Sequence, residues 1–79
     1  MKSIKDMVTR IFGNRVVSWR RGTDHRLVFD YVVINLTEEP TEREKSLIVG
    51  YLKDRYPEVF VIENHHTRES DFQLRVYIR

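Results

Sequence analysis

Three residues near the end of the chain, Arg75, Tyr77 and Arg79, have the types and the spacing of a nucleic-acid-binding surface. Residues two apart in a strand point to the same face of the sheet, so these three would stand in a row. An aromatic ring can stack on a base while flanking guanidinium groups hold phosphates. The alternative interpretation is a solvated edge strand whose charges prevent aggregation.

The N-terminal part of the chain is its basic part. Residues 1–27 hold seven of the 14 Lys and Arg residues but only two of the 12 acids, whereas the whole chain has a net charge of +2. This excess of positive charge suits a polyanion, although no RNP-type signature or GXXG loop accompanies it. We expect the first hairpin to extend the row, with Trp19 as a second stacking ring. The predicted nucleic-acid-binding residues are Arg15, Trp19, Arg20, Arg21, Arg26, Arg75, Tyr77 and Arg79.

The histidines offer a second kind of chemistry. His25 falls in the first hairpin loop, and His65 and His66 fall in the second. Adjacent histidines diverge in an extended backbone, and the helical histidine pair of zinc peptidases is absent, so we expect no metal site. Solvated loop histidines are the simplest interpretation. The alternative is a metal-independent ribonuclease in which a histidine is the base, Arg75 stabilises the phosphate and Tyr77 assists.

The sheet that must carry these residues is organised around residues 27–36, LVFDYVVINL. Branched and aromatic residues without Gly or Pro predict a strand, and its length indicates a central one. Both faces of this strand are mostly apolar, although an antiparallel sheet in a small domain normally keeps one face wet. We expect the helices to cover the face that carries Leu27, Phe29, Tyr31 and Val33.

The opposite face of the same strand then has no covering element left in the sequence. Monomers seldom expose large apolar patches, so this face predicts a protein interface, most simply with a second copy about a two-fold axis. The alternative is that a helix or the N-terminal segment covers it within the monomer. The predicted interface residues are Val28, Asp30, Val32, Ile34, Val59 and Val61.

Two helices frame the strands, and each begins with a capping box. Ser3 with Asp6 starts the first helix and Gly13 ends it, while Thr41 with Glu44 starts the second. The second helix should end before Pro57 and bury a stripe of Leu47, Ile48, Tyr51, Leu52 and Tyr56, with Gly50 allowing close approach to the sheet.

Four strands are predicted, over residues 15–21, 27–36, 58–64 and 72–79. The last alternates cleanly, with residues 72, 74, 76 and 78 directed inward. The sequence therefore predicts one α+β domain over residues 1–79. Its architecture would be a two-layer sandwich of order αββαββ, with two helices on one face of a four-stranded, mostly antiparallel sheet.

Composition limits the functional classes. A chain of 79 residues without cysteine has no disulfide framework, no thiolate nucleophile and no Cys-ligated metal. No apolar stretch approaches the roughly 20 residues that span a bilayer, so we expect a cytoplasmic protein without a membrane partner or a small-molecule cofactor.

The expected function is a small, non-enzymatic regulatory module that binds nucleic acid through the basic hairpin and the Arg/Tyr face. The alternative is a protein-interaction module, either a homodimer or an inhibitor or adaptor of a larger protein, acting through the apolar sheet face. A small ribonuclease is the third possibility.

Overall fold

The computed structural model describes residues 3–79, so Met1 and Lys2 of the predicted 1–79 domain lie outside the described range. The helices are α1 (Ile4–Phe12) and α2 (Glu42–Lys53), and a 3₁₀ turn, Gly13–Arg15, follows α1. The strands are β1 (Val16–Asp24), β2 (Phe29–Leu36), β3 (Val59–His65) and β4 (Phe72–Ile78). The order αββαββ is confirmed.

Both helices begin at the predicted capping boxes. The Ser3 hydroxyl accepts from the Asp6 amide at 3.2 Å, and the Asp6 carboxylate accepts from the Ser3 amide at 3.3 Å. Thr41 and Glu44 exchange the equivalent bonds at 3.1 and 2.8 Å. Each box satisfies backbone donors that the helix itself leaves unpaired, which fixes where the helix starts.

The four strands form one antiparallel sheet in the order β1-β2-β4-β3. The strand over residues 27–36 is central, as predicted, although β2 itself begins at Phe29. Strand β4 is also central, so the interpretation of residues 72–79 as an edge strand is wrong. The edges are β1 and β3, and the two hairpin loops lie at opposite ends of the sheet.

Both helices pack on the face of the sheet that carries the even-numbered residues of β2 and β4. Val32 lies opposite Val76 and Ile34 lies opposite Leu74, and all four side chains are buried. The remaining core comes from both helices and the ends of the strands: Ile4, Val8, Phe12, Leu36, Ile48, Leu52, Phe72 and Ile78. The inward alternation predicted for β4 is confirmed.

The prediction that the helices cover Phe29, Tyr31 and Val33 is wrong, since the helices cover the even-numbered residues of β2. The reason lies in strand pairing, because directly paired residues of neighbouring strands share a face. Strand β4 directs its aliphatic residues inward, and they pair with the even residues of β2, whereas Arg75 and Tyr77 pair with Val33 and Tyr31. The register of β2 with β4 therefore selects the covered face.

The six predicted interface residues do not form one exposed surface. Val32 and Ile34 are only 1% and 0% exposed, since they lie beneath the helices. Val59 packs against the core and Asp30 forms an ion pair with Arg21 at 3.6 Å. The other two members are exposed in different places, Val28 in the β1–β2 turn and Val61 on β3. The interface prediction for this face is therefore wrong.

Two expectations about α2 are also wrong. Leu47 is largely exposed, and Ile48 and Leu52 are the residues of this helix that are fully buried. Gly50 lies on the exposed side, and a methyl group added there would meet nothing within 4 Å. It therefore plays no part in the approach of the helix to the sheet.

Candidate nucleic-acid interface

The sheet face opposite the helices, called here the open face, carries a connected group of four aromatic rings. Tyr31 and Tyr77 are directly paired across β2 and β4, with ring centroids 6.2 Å apart. Phe29 lies 6.5 Å from Tyr77 and 5.5 Å from Phe60, both in edge-on contacts. The four rings, called here the aromatic platform, thus cross three strands, and Phe60 at the end is 55% exposed.

Two arginines of the open face lie against this platform. The Arg79 guanidinium carbon is 4.7 Å from the centre of the Phe29 ring, and that of Arg75 is 5.8 Å from the centre of Tyr31. Arg75 also donates to the Tyr77 hydroxyl at 3.3 Å. The negative face of an aromatic ring attracts a cation, so these contacts hold the guanidinium groups beside the rings.

The arginines differ in how far their charge is already neutralised. Arg79 forms an ion pair with Glu58 at 2.9 Å, and Arg20 at the β1 side pairs with Glu69 at 3.4 Å. Within residues 3–79, no ion pair involves Arg75, and its buried Nε has no hydrogen-bond partner. Arg75 is therefore a cation of the open face whose charge no carboxylate within residues 3–79 neutralises.

A shallow, solvent-open depression of about 440 Å³ lies between the platform and the β1–β2 turn. Asp24 shapes the turn, since its carboxylate accepts from the amides of Arg26 and Leu27 at 2.9 and 3.2 Å. Arg26 from the β1–β2 turn and Arg75 from β4 therefore border the same depression. The lining residues are Thr23, Asp24, His25, Arg26, Tyr31, Arg75 and Tyr77.

The other end of the open face is covered by the β3–β4 loop, residues 66–71. Asn35, which is 1% exposed, donates to Glu69 at 2.9 Å and accepts from the Ser70 hydroxyl at 3.3 Å. It also accepts from Gln73 at 2.9 Å and donates to Ser18 at 3.0 Å. This network satisfies a polar side chain that would otherwise be costly to bury.

Five of the eight predicted nucleic-acid-binding residues lie on or beside the open face. Strand register places Arg20, Arg75 and Tyr77 on this face. Arg79 lies against the Phe29 ring, and Arg26 lines the depression. Two of the others face the helices. Trp19 pairs with Ile34 and packs against the core, so Trp19 and Tyr77 are on opposite faces. Arg21 donates to the Tyr56 hydroxyl at 3.0 Å.

Arg15 joins the two helices instead of facing a ligand. Its guanidinium forms a two-pronged ion pair with Glu44 and donates to the carbonyl oxygens of Ile11 and Phe12 at 3.3 Å. The hydrogen bonds from Arg15, together with the Thr41 amide, lower the pKa of Glu44 from 4.5 to about 2. The same pair raises the pKa of Arg15, and both effects lie far from the open face.

Sequence reasoning missed Phe29, Tyr31 and Phe60 as members of the surface. The sequence predicts Phe29 and Tyr31 in the core, because apolar side chains at alternate positions of a long strand normally face a covering layer. The signal that identifies them is the pairing of their strand with β4, which puts them on the side of Arg75 and Tyr77.

The histidines do not gather into one site. His25 lies in the β1–β2 turn, whereas His65 and His66 lie at the opposite end of the sheet with ring centroids 6.5 Å apart. The His65 ring makes an edge-on contact with Phe72 at 4.9 Å. In the part of the chain that the structure describes, no group of three or more His, Asp or Glu side chains could hold a metal ion.

Comparison with protein-family models, curated proteins and solved structures found no match. Neither α1 nor α2, the two helices of the described residues, is long and apolar enough to cross a membrane.

Proposed function

We propose that this protein binds single-stranded nucleic acid on the open face. The observation that carries the proposal is the aromatic platform with the Arg75 and Arg79 guanidinium groups against its rings. In this arrangement the exposed rings stack on bases, and the guanidinium groups beside them hold the phosphates. Stacking on a ring contributes about 1–3 kcal/mol per base and tolerates any base.

The shape of the surface favours a single strand over a duplex. The rings lie on a sheet, and stacking on them requires unpaired bases that can turn towards the protein. A duplex keeps its bases stacked on each other and offers this face only its backbone. About two or three bases fit on a sheet face of this kind, because RNA-binding sheets of similar size stack that number.

The charges of the open face predict a moderate dependence on salt. Arg75 and Arg26 form no ion pair within residues 3–79, whereas Arg79 and Arg20 must first leave Glu58 and Glu69. Each phosphate contact on a single strand contributes about −0.7 to the slope of log K against log salt. Two to four contacts therefore correspond to a slope between about −1.4 and about −2.8.

Fluorescence anisotropy with a labelled oligothymidylate of about 10 nucleotides tests the proposal at about 50 mM salt. Arg75→Gln should weaken binding at least about tenfold, because it removes the cation beside Tyr31 and Tyr77 that no carboxylate of residues 3–79 neutralises. Arg21→Gln is the matched control, since that arginine is on the helix side of the same sheet and its loss should leave affinity unchanged.

Two results would reject nucleic-acid binding on the open face. One is the absence of binding by the wild-type protein at about 50 mM salt. The other is an equal loss of affinity in the Arg75 and Arg21 variants. Circular dichroism of both variants verifies that they remain folded.

The depression beside the platform favours ribonuclease activity as a second candidate, because His25 lines it together with Arg75 and Tyr77. In this reaction His25 takes the proton of a ribose 2′-hydroxyl, whose oxygen attacks phosphorus while the bond to the 5′-oxygen breaks. Arg75 stabilises the charged phosphate, water protonates the leaving oxygen, and a 2′,3′-cyclic phosphate results. RNA that stays intact with concentrated protein would exclude this activity, and cleavage abolished by His25→Ala would support it.

A further inference from the structure

Strand β3 is an exposed edge with three successive apolar residues. Phe60, Val61 and Ile62 are 55%, 38% and 46% exposed, so both faces of the strand show apolar side chains at this edge. The strand contains no proline, no lysine and no register shift against β4. Proline, lysine and register shifts are features that commonly protect an edge strand, because an unprotected edge pairs readily with another strand.

The backbone of β3 has donors and acceptors available for such pairing. Glu58 and Arg79 exchange two hydrogen bonds of 3.0 Å, which fixes the alternation along the antiparallel ladder. Residues 60, 62 and 64 therefore bond to β4, and the amide and carbonyl groups of residues 59, 61 and 63 point away from the sheet. Among residues 3–79, no strand lies on that side of β3.

The other edge of the sheet is protected. The register of β1 against β2 shifts between Val16 and Ser18, so this edge strand is irregular at its start. Its middle carries the charged residues Arg20 and Arg21, followed by Gly22. Irregularity and charge both disfavour the addition of a strand. The edge at β3 is therefore open to pairing with another strand, whereas the irregularity and charge of β1 disfavour pairing there.

We propose that β3 pairs with β3 of a second copy of this chain, antiparallel and about a two-fold axis at Val61. The axis is perpendicular to the sheet, so the helices of both copies lie on one side and the open faces on the other. Val61 then faces Val61 of the second copy, and Phe60 faces its Ile62. Aromatic and branched side chains form favourable cross-strand pairs.

The charges on and beside β3 do not repel each other in this arrangement. Glu63 faces Val59 of the second copy, and its charge is already balanced by Lys45, whose Nζ lies 2.8 Å from the carboxylate. Glu58 is paired with Arg79 and faces Asn64 of the second copy. No two carboxylates are opposed, and residues 59, 61 and 63 of both copies can exchange backbone hydrogen bonds. An axis at Phe60 would instead set Glu63 opposite Pro57, which has no amide donor.

A single introduced cysteine tests the pairing, since the natural chain has none. Paired residues that exchange hydrogen bonds have Cα atoms about 5.5 Å apart, which is within the range of a disulfide. Val61→Cys should therefore form a linked dimer under mild oxidation. Val17→Cys is the matched control, because Val17 is 53% exposed on the protected edge. Equal rates of linkage in the two variants would overturn the proposal.

Sedimentation equilibrium without nucleic acid provides the second measurement. The wild-type mass should rise from monomer towards dimer between about 10 and about 500 µM protein, by mass action. Ile62→Lys should remain monomeric over this range, because it sets a lysine at the edge and removes the partner of Phe60. A wild-type monomer at the highest concentration would overturn the proposal. The outcome is independent of nucleic-acid binding, which Arg75→Gln tests separately.

Discussion

The ring of Tyr31 lies over Gly22, its neighbour across the β1–β2 ladder. A methyl group added at Gly22 would stand 2.5 Å from the Cζ and hydroxyl oxygen atoms of that ring, which is too close for any real contact. The absence of a side chain at Gly22 therefore allows the Tyr31 ring to lie over β1 on the open face. A glycine in a strand often marks such a close approach.

Gly22→Ala should displace the Tyr31 ring and weaken oligonucleotide binding several-fold. The backbone at Gly22 has no left-handed geometry, so the free energy of unfolding should change by no more than about 1 kcal/mol. Anisotropy titration and urea unfolding measure the two effects. Unchanged affinity, with the Tyr31 ring resonances shifted in the NMR spectrum, would show that this ring does not contact the ligand.

Gly50→Ala should stabilise the protein by about 1 kcal/mol, because glycine inside a helix costs backbone entropy and nothing near Gly50 obstructs a methyl group. Urea unfolding measures the gain, and oligonucleotide affinity should stay the same since α2 lies on the other side of the sheet. A loss of stability would mean that the helix is packed more tightly here than the structure shows.

The Arg15–Glu44 pair should make stability depend on acidic pH. The pKa of Glu44 is lowered from 4.5 to about 2. The contribution of the pair is therefore fully present above pH 4.5 and is lost as the pH falls towards 2. Glu44→Gln keeps a capping side chain but removes the charge, so it should cost about 1 kcal/mol or less at neutral pH.

The test of this pH dependence is urea unfolding of wild type and Glu44→Gln between neutral pH and pH 2. The difference between the two proteins should shrink as the pH falls below 4.5, because the wild-type carboxylate then becomes protonated. Glu39→Gln is the control, since Glu39 is exposed and should show little difference at any pH. A constant difference would contradict the assigned pairing.

Val32→Asp should unfold the protein, because Val32 is 1% exposed beneath the helices and a carboxylate there has no partner. The expected loss is about 3 kcal/mol or more. Ile62→Asp is the matched change on the open face, where the side chain is 46% exposed and the loss should stay below about 1 kcal/mol. Thermal unfolding distinguishes the two, and equal stability would contradict the assignment of faces.

The order of elements could be predicted because each one carries its own signal. Capping boxes at Ser3 and Thr41 mark where the helices begin, and the alternation of β4 marks its inward face. These signals are local, since they depend on residues three or four positions apart in a helix and two apart in a strand.

The covered face of β2 could not be predicted from β2 alone, because Val32 and Val33 are both buried although they point to opposite faces. On the open face, Val33 is flanked in the paired strands by Arg20 and Arg75, whereas Val32 lies beneath the helices. The pairing of β2 with β4 decides which face the helices cover. The periodicity of a single strand does not predict which strands will be its neighbours. The arginine and tyrosine row was therefore found in the sequence, while its Phe29 and Tyr31 neighbours were not.

The β3–β4 loop, which is hydrogen-bonded to Asn35, makes the two ends of the open face different. Because Glu69 and Ser70 are fixed there, the loop blocks one end of the surface, and a ligand that followed β2 and β4 along their length would run into it. The rings from Tyr31 to Phe60 run the other way, from one strand to the next. If the proposed function holds, we expect a long single strand to lie crosswise to the strands and to pass over the sheet edges at β1 and β3.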